Sequence, residues 1–345
     1  MGWWVIPVYV LDLAAMIFLS FFLGNLVDML DKKTKISGAF IGGVLLAAVT
    51  SLPELFTSLS SIFLVNEPEY VVGDLLGSIV FDIVCLALET FIFVKNFKDA
   101  KIQKFHLING IACLMMYGFA AYAFFAPKSA QLMLGDINAM SILIFALYIL
   151  TLIFQPKEEE EHDDSVEIKW SLKKIVTLFI ISSIALIGTS IALTYLTKGI
   201  QNLAPAALTG SVAGALLLGI GTSIPEIIST AQLFHKKNYD AGIGNMIGSC
   251  TFDFAIFALS DFLSWHQYNN HMDNGEYIIS QRGLYIATSD AIQFELFGIV
   301  ICALVVVFLA LKCFTKLFDN KKFCYIATGI TATASLVMYL LIFIL

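Results

Sequence analysis

Hydrophobic residues run along this chain in blocks of about twenty, the length that carries an α-helix across the roughly 30 Å hydrocarbon core of a bilayer. Ten blocks can be marked, at 5–26, 38–65, 71–94, 106–126, 134–154, 172–198, 208–234, 241–263, 293–312 and 323–345. Those at 38–65 and 208–234 are the longest and hold an interior proline, Pro53 and Pro225, so each is expected to be a broken helix. The longer polar connections fall at 155–171 and 264–292. The pattern predicts an all-α integral membrane protein of ten transmembrane helices.

The polar letters inside the blocks occur twice in the same order. Residues 38–58 read GAFIGGVLLAAVTSLPELFTS and residues 210–230 read GSVAGALLLGIGTSIPEIIST. A second pair follows, GDLLGSIVFDI at 73–83 and GNMIGSCTFDF at 244–254. Gly38 matches Gly210, Glu54 matches Glu226, and Asp82 matches Asp253 after a one-residue slip, so the repeat covers about half the chain. Five blocks precede the central connection and five follow it. An odd number per copy forces the second to insert upside down, the inverted-repeat plan of secondary transporters, whose ion sites lie near the midplane. The expected organisation is a first five-helix repeat at 1–155, an acidic cytoplasmic linker at 156–171 and a second repeat at 172–345.

Composition narrows the class. Hydrophobic residues make up 59% of the 345 and charged residues 14%, against about 25% charged in soluble domains. With the N-terminus outside, every Lys and Arg except Lys128, Lys198 and Arg282 falls in an inner connection, out of 20 in all. This asymmetry places both termini on the extracytoplasmic side of a multi-pass plasma-membrane protein. Trp3, Trp4 and Trp265 then suit an outer aromatic belt and Trp170 an inner one. A formal charge of −7 argues against nucleic acid as a partner. The six cysteines show neither metal-ligand spacing nor a disulfide framework and read as apolar fillers. The first block lacks a basic leader and reads as a span rather than a cleaved signal. The run Glu158, Glu159, Glu160, Glu161, His162, Asp163 and Asp164 reads as a solvated linker. His266, His271, Asp273, Asn274 and Glu276 match no metal-binding spacing.

The repeated acids carry the chemistry. An ionisable side chain at the bilayer centre costs about 2.5–3.5 kcal/mol on insertion scales, so Glu54, Asp82, Glu226 and Asp253 mark a functional site. Thr50 and Glu54, Thr222 and Glu226, Ser78 and Asp82, and Ser249 and Asp253 are each four residues apart, which puts hydroxyl and carboxylate on one helix face. Pro53 and Pro225 free carbonyls near Val49 and Gly221, tolerated at membrane depth only beside protein or a wet cavity. Glycines at 73, 77, 244 and 248, facing Gly42, Gly43, Gly214 and Ala215, let the Glu-bearing and Asp-bearing helices approach closely. An all-oxygen set of four carboxylates, hydroxyls and carbonyls suits a hard cation such as Ca²⁺, which takes six to eight oxygens. Thiolate and imidazole ligands for softer metals are absent. Asp12 and Glu89 read as interfacial or structural.

TSLPE and TSIPE, each followed by GSxxFD, resemble the two alpha-repeats of the cation/calcium exchanger superfamily, over most of the chain. The resemblance implies that Glu54 and Glu226 are the central Ca²⁺ carboxylates, with Asp82 and Asp253 at the matching polar positions of the following helix. It implies oxygens from Thr50, Ser51, Ser78, Thr222, Ser223 and Ser249, and backbone carbonyls from Ala47 and Gly219. It further implies that the first and sixth spans slide across a fixed core. The activity implied is antiport of Ca²⁺ for Na⁺, not an enzymatic reaction. Proton-coupled or potassium-dependent exchange of Ca²⁺ or another divalent ion is the alternative. No cofactor is expected beyond the transported ions, and the partners expected are Ca²⁺, monovalent cations and the bilayer, with no obligate protein. The chain departs from the family pattern at Asp82, where the first repeat often carries Asn, and at Gly73-Asp74, where it carries Gly-Asn. Four negative charges in one cavity titrate as a coupled set, so an extra proton or monovalent cation is expected to accompany transport. An intramembrane aspartyl protease would need a GxGD signature, and Val71-Val72-Gly73-Asp74 lacks the first glycine.

Overall fold

The computed structural model describes residues 2–34, 50–127, 130, 132–134, 137–154, 170–268, 272, 273, 276, 277, 284, 285 and 289–344. Helix dominates because these are runs of apolar residues whose backbone hydrogen bonds must close internally where water is absent. Helix α1 spans Val5–Thr34, and α2, Leu52–Ser60, runs on into a π-helical turn at Ser61–Val65. Next come α3 (Pro68–Ile92), the short α4 (Val94–Phe97) and α5 (Lys104–Phe125). Helices α6 (Ala139–Ile153) and α7 (Leu172–Gln201) flank the central connection. Helix α8 (Gly210–His235) contains a π turn at Gly214–Gly219. Helices α9 (Tyr239–Tyr268), α10 (Ser289–Phe314) and α11 (Lys321–Ile342) complete the set.

Among the described residues eight helices are long and apolar enough to cross a membrane: α1, α3, α5, α7, α8, α9, α10 and α11. Leu52–Val65 and Ala139–Ile153 are apolar but shorter. The first belongs to the block at 38–65, whose residues 38–49 lie outside the described residues. The second covers residues 139–153 of the expected span at 134–154. Met133–Leu134 pairs antiparallel with Ile137–Asn138, and the Asn138 side chain then caps α6 by accepting from the Met140 N–H at 3.0 Å. A second two-residue pair, Met272–Asp273 with Glu276–Tyr277, lies between α9 and α10. The acidic run at 158–164 lies outside the described residues.

Burial sorts the helices into a core and a flank. Helix α3 has 89% of its apolar stretch buried, packed between α8, α9, α10 and α11, whereas α1 and α7 have 22%. These two pack chiefly along each other and turn Leu11, Phe18, Ile180, Ile181 and Ile184 outward. Trp3 and Trp4 are exposed at the start of α1, and Trp170 stacks under the Lys174 ammonium, 4.2 Å from its ring centre.

Candidate functional site

Two helical hairpins place the acids. In the first, α2 ends in its π turn, Asn66 (φ 58°) reverses the chain, and Pro68 starts α3 where its missing N–H is of no consequence. In the second, α8 ends at His235 and Lys237 (φ 65°) reverses the chain ahead of α9. Among the described residues these are the two non-glycine residues of positive φ, and they fall at matching points of the two copies. Each hairpin sets a Glu-bearing helix beside an Asp-bearing one, and each is pinned by the same contact. Thr57 Oγ1 donates to Asp74 Oδ2 at 2.6 Å, while Asn245 Nδ2 lies 3.1 Å from both Ser229 Oγ and Thr230 Oγ1 as their donor.

The hairpins interlock through glycine. A Cβ at Gly73 would strike the Ser211 carbonyl, one at Gly77 would lie 2.8 Å from Ala215 Cβ, and one at Gly219 would lie 2.8 Å from the Asp74 carbonyl. Helix α3 therefore meets α8 backbone to backbone, as the small-residue spacing predicts, and Ser78 Oγ donates to the Gly219 carbonyl at 3.1 Å. Gly244 instead faces the His106 ring, and Gly248 has nothing within 4 Å of its Cβ position among the described residues. Gly42 and Gly43 lie outside those residues.

The two prolines differ, which corrects the expectation of a proline-broken helix in both copies. In the first, Ser51 leaves the helical region (φ −92°, ψ 13°), a new helix starts at Leu52, and Pro53 sits in its first turn. In the second, Pro225 lies inside an uninterrupted helix. The distortion there is displaced to the π turn ahead of it, where Tyr9 on α1 donates to the Leu217 carbonyl. Such π turns recur at functional sites because they leave carbonyls for other donors or ions.

Thr50, Ser51, Glu54, Ser78, Asp82, Thr222, Ser223, Glu226, Ser249 and Asp253 are all buried, as is Gly219. Ala47 lies outside the described residues. Ser51 joins the copies, with its hydroxyl 3.0 Å from Ser249 Oγ and 3.5 Å from Glu226 Oε1. Glu226 is within electrostatic range of Glu54, Asp82 and Asp253, and Asp253 is within range of Glu54, Asp82 and Asp74. Thr222 lies beside the Glu54 carboxylate and Ser223 beside that of Asp82. Glu54 Oε2, both Asp82 oxygens, Glu226 Oε2, Asp253 Oδ1 and Ser223 Oγ have no hydrogen-bond partner among the described residues. Buried polar atoms are nearly always satisfied, so this set of leftover oxygens is the chemical signature of the site. No group of three His, Cys, Asp or Glu side chains among the described residues is gathered tightly enough to hold one metal ion. Glu54, Asp82, Glu226 and Asp253 lie within electrostatic range of one another, with the hydroxyls of Thr222, Ser223 and Ser51 beside Glu54, Asp82 and Glu226.

One acid in this centre escaped the sequence reading. Asp74 is fully buried, accepts from Thr57 and, at 3.5 Å, from Thr222 Oγ1, and lies within electrostatic range of Glu54. Its signal is the mismatch with Asn245, a charge where the second copy has an amide. Glu89, expected to be interfacial or structural, lies in the last turn of α3. It is 5% exposed, and neither carboxylate oxygen has a hydrogen-bond partner among the described residues.

The chain belongs to the sodium/calcium exchanger protein family, whose family model matches residues 4–156 and 175–345. An uncharacterized membrane protein of Methanocaldococcus jannaschii, MJ0091, is 24% identical over 231 residues, which is 66% of this chain and 71% of that protein. Among solved structures, the H⁺/Ca²⁺ exchanger CAX superimposes with a TM-score of 0.66 at 14% identity, covering 98% of this chain and 88% of that one. Native YfkE gives 0.62 at 16% identity, over 98% and 92%. The sodium-calcium exchanger NCX_Mj gives 0.54 at 19% identity, over 96% and 98%. At these identities the likenesses establish the fold. The protein is thus an all-helical, multi-pass membrane protein of a cation/Ca²⁺ exchanger family.

Proposed function

We infer that this chain is a secondary antiporter that moves Ca²⁺ against a monovalent cation, Na⁺ in the first reading, through one midplane carboxylate site by alternating access. In this reading the ten helices form two inverted five-helix repeats, 1–155 and 172–345, joined by the acidic linker, in the plasma membrane with both termini outside. Glu54 and Glu226 are the central ligands, and Asp82 and Asp253 flank them. Thr50, Ser51, Ser78, Thr222, Ser223 and Ser249, with the carbonyls of Ala47 and Gly219, complete the oxygen shell. The observation that carries the reading is the set of buried carboxylate oxygens from both copies left without hydrogen bonds. Desolvated carboxylates repel one another unless a cation sits among them, and Ca²⁺ and its counter-ion then exclude each other by competing for the same oxygens.

A specific observation favours a proton-coupled second reading. Asp74 and Asp82 stand where the family pattern has amides, so the centre holds more negative charge than one Ca²⁺ neutralises. Purified protein in vesicles loaded with Ca²⁺, given a Na⁺ gradient alone or a pH gradient alone, separates the two. Ca²⁺ movement that follows sodium and ignores pH supports the first reading, and the reverse result replaces it with the second.

A further inference from the structure

Glu89 sits near the C-terminal end of α3, three residues before Ile92, where three conditions disfavour a carboxylate. It is 5% exposed, both oxygens lack partners among the described residues, and the helix C-terminus presents its own partial negative charge. Lysines follow close behind at 95, 98, 101 and 104, yet none forms an ion pair with it. Lys98 pairs with Asp99 at 2.6 Å, and Lys312 Nζ donates to the Lys98 carbonyl at 2.6 Å. A carboxyl group kept under those conditions contributes nothing to folding and serves something else.

Its position supplies the direction. Glu89 lies seven residues after Asp82, two helical turns along the same face and about 10 Å nearer the lysine-rich end. Helix α11 packs antiparallel along α3. Gly329 lies against Phe91, with 3.4 Å between its Cβ position and Phe91 Cε2, and the Tyr339 ring lies 5.6 Å from that of Phe81. Ten residues of one helix thus match ten of the other, which sets Thr331 level with Glu89, Ser335 level with Cys85, and Tyr339 level with Phe81, the neighbour of Asp82. Thr331, Ser335 and Tyr339 are all buried. Thr331 spends its proton on the Ala327 carbonyl at 2.9 Å, leaving its oxygen free to accept, and Ser335 Oγ has no partner among the described residues. The Tyr339 phenol is within electrostatic range of Asp82 and Cys85. Ser335 and Tyr339 therefore follow one another along α11 toward the level of the carboxylate centre, while Thr331 lines an apolar cavity with Leu86, Ala87 and Thr90 of α3, Ile243 of α9 and Val305, Phe308 and Leu309 of α10.

We propose that Glu89, with Ser335 of α11 a turn nearer the carboxylate centre, is a cation station on the access route between that centre and the lysine-rich face of the protein. The positive lysines repel an entering cation, and Glu89 offers it a carboxyl group behind them that loses its proton as the cation binds. The carboxylate so formed raises the local ion concentration. The proposal rests on the exchanger reading, and sidedness distinguishes the two. In vesicles with protein of known orientation, labelled Ca²⁺ uptake is measured separately from each face for the native protein, Glu89→Gln and Ser335→Ala. The expected result is a KM for Ca²⁺ raised about tenfold in Glu89→Gln at the lysine-rich face only, a smaller rise in Ser335→Ala at that face, and unchanged melting temperatures. Equal changes at both faces, or none in either variant, would overturn the station while leaving the exchange reading intact. Absence of exchange in the native protein would overturn both.

Discussion

Asp74 is the residue at which this centre differs most from a symmetric pair of repeats. Its counterpart Asn245 donates to two hydroxyls, whereas Asp74 can only accept, and does so from Thr57 and Thr222. The substitution keeps the clamp, now accepted from Thr57, and adds an acid beside Glu54. Asp74→Asn, which restores the second copy's amide, is expected to raise the KM for Ca²⁺ about tenfold, equivalent to ~1.4 kcal/mol, with little change in maximal flux. Labelled Ca²⁺ uptake over a concentration series checks this, and an unaltered KM would place Asp74 outside the cation's field. The sequence marks Asp74 as a departure from Gly-Asn but not as part of the site, because it follows a glycine in the first turns of α3, where an acid ordinarily serves the helix N-terminus. Only the crossing of α8 over that turn makes it part of the centre.

Among the elements, the crossing of α3 and α8 decides whether the acids meet. Gly77 lies under Ala215, so Gly77→Leu would drive a side chain into backbone and is expected to destabilise the protein by about 1–3 kcal/mol, as overpacking does. The loss should appear as a lower melting temperature together with lost exchange, whereas Gly118→Leu, whose Cβ position meets nothing within 4 Å, should leave both unchanged. This close approach was legible from the four-residue glycine spacing, as was the apolar length of most helices; the hydroxyl beside each carboxylate was not, since Thr222 lies beside Glu54 and Ser223 beside Asp82, each from the other copy. The backbone around the prolines was not. TSLPE and TSIPE are nearly the same string, yet Ser51 interrupts its helix while Ser223 continues through its own. In the second copy the hydroxyl of Tyr9 reaches the Leu217 carbonyl of the π turn, a contact outside the motif. The residues ahead of Thr222 carry no proline, so nothing local in their sequence announced that turn.

At the scale of the whole molecule, the contrast between a buried α3 and a peripheral α1–α7 pair suits a fixed core with a movable flank. Leu13 on α1 lies 3.1 Å from the Cβ position of Gly221 on α8, directly before Thr222. If the flank slides during exchange, cysteines at 13 and 221 joined by a short thiol cross-linker should stop Ca²⁺ flux, and a cleavable linker should restore it on reduction. Flux that persists in the fully cross-linked protein would show that α1 need not move. The central claim is narrower: one cation centre shared by both copies. Its most direct test is labelled Ca²⁺ exchange in vesicles by the native protein beside Glu54→Gln and Glu226→Gln, each verified as folded by an unchanged melting profile. The account predicts that either single substitution, in either copy, abolishes exchange; substantial flux surviving in one of them would contradict it.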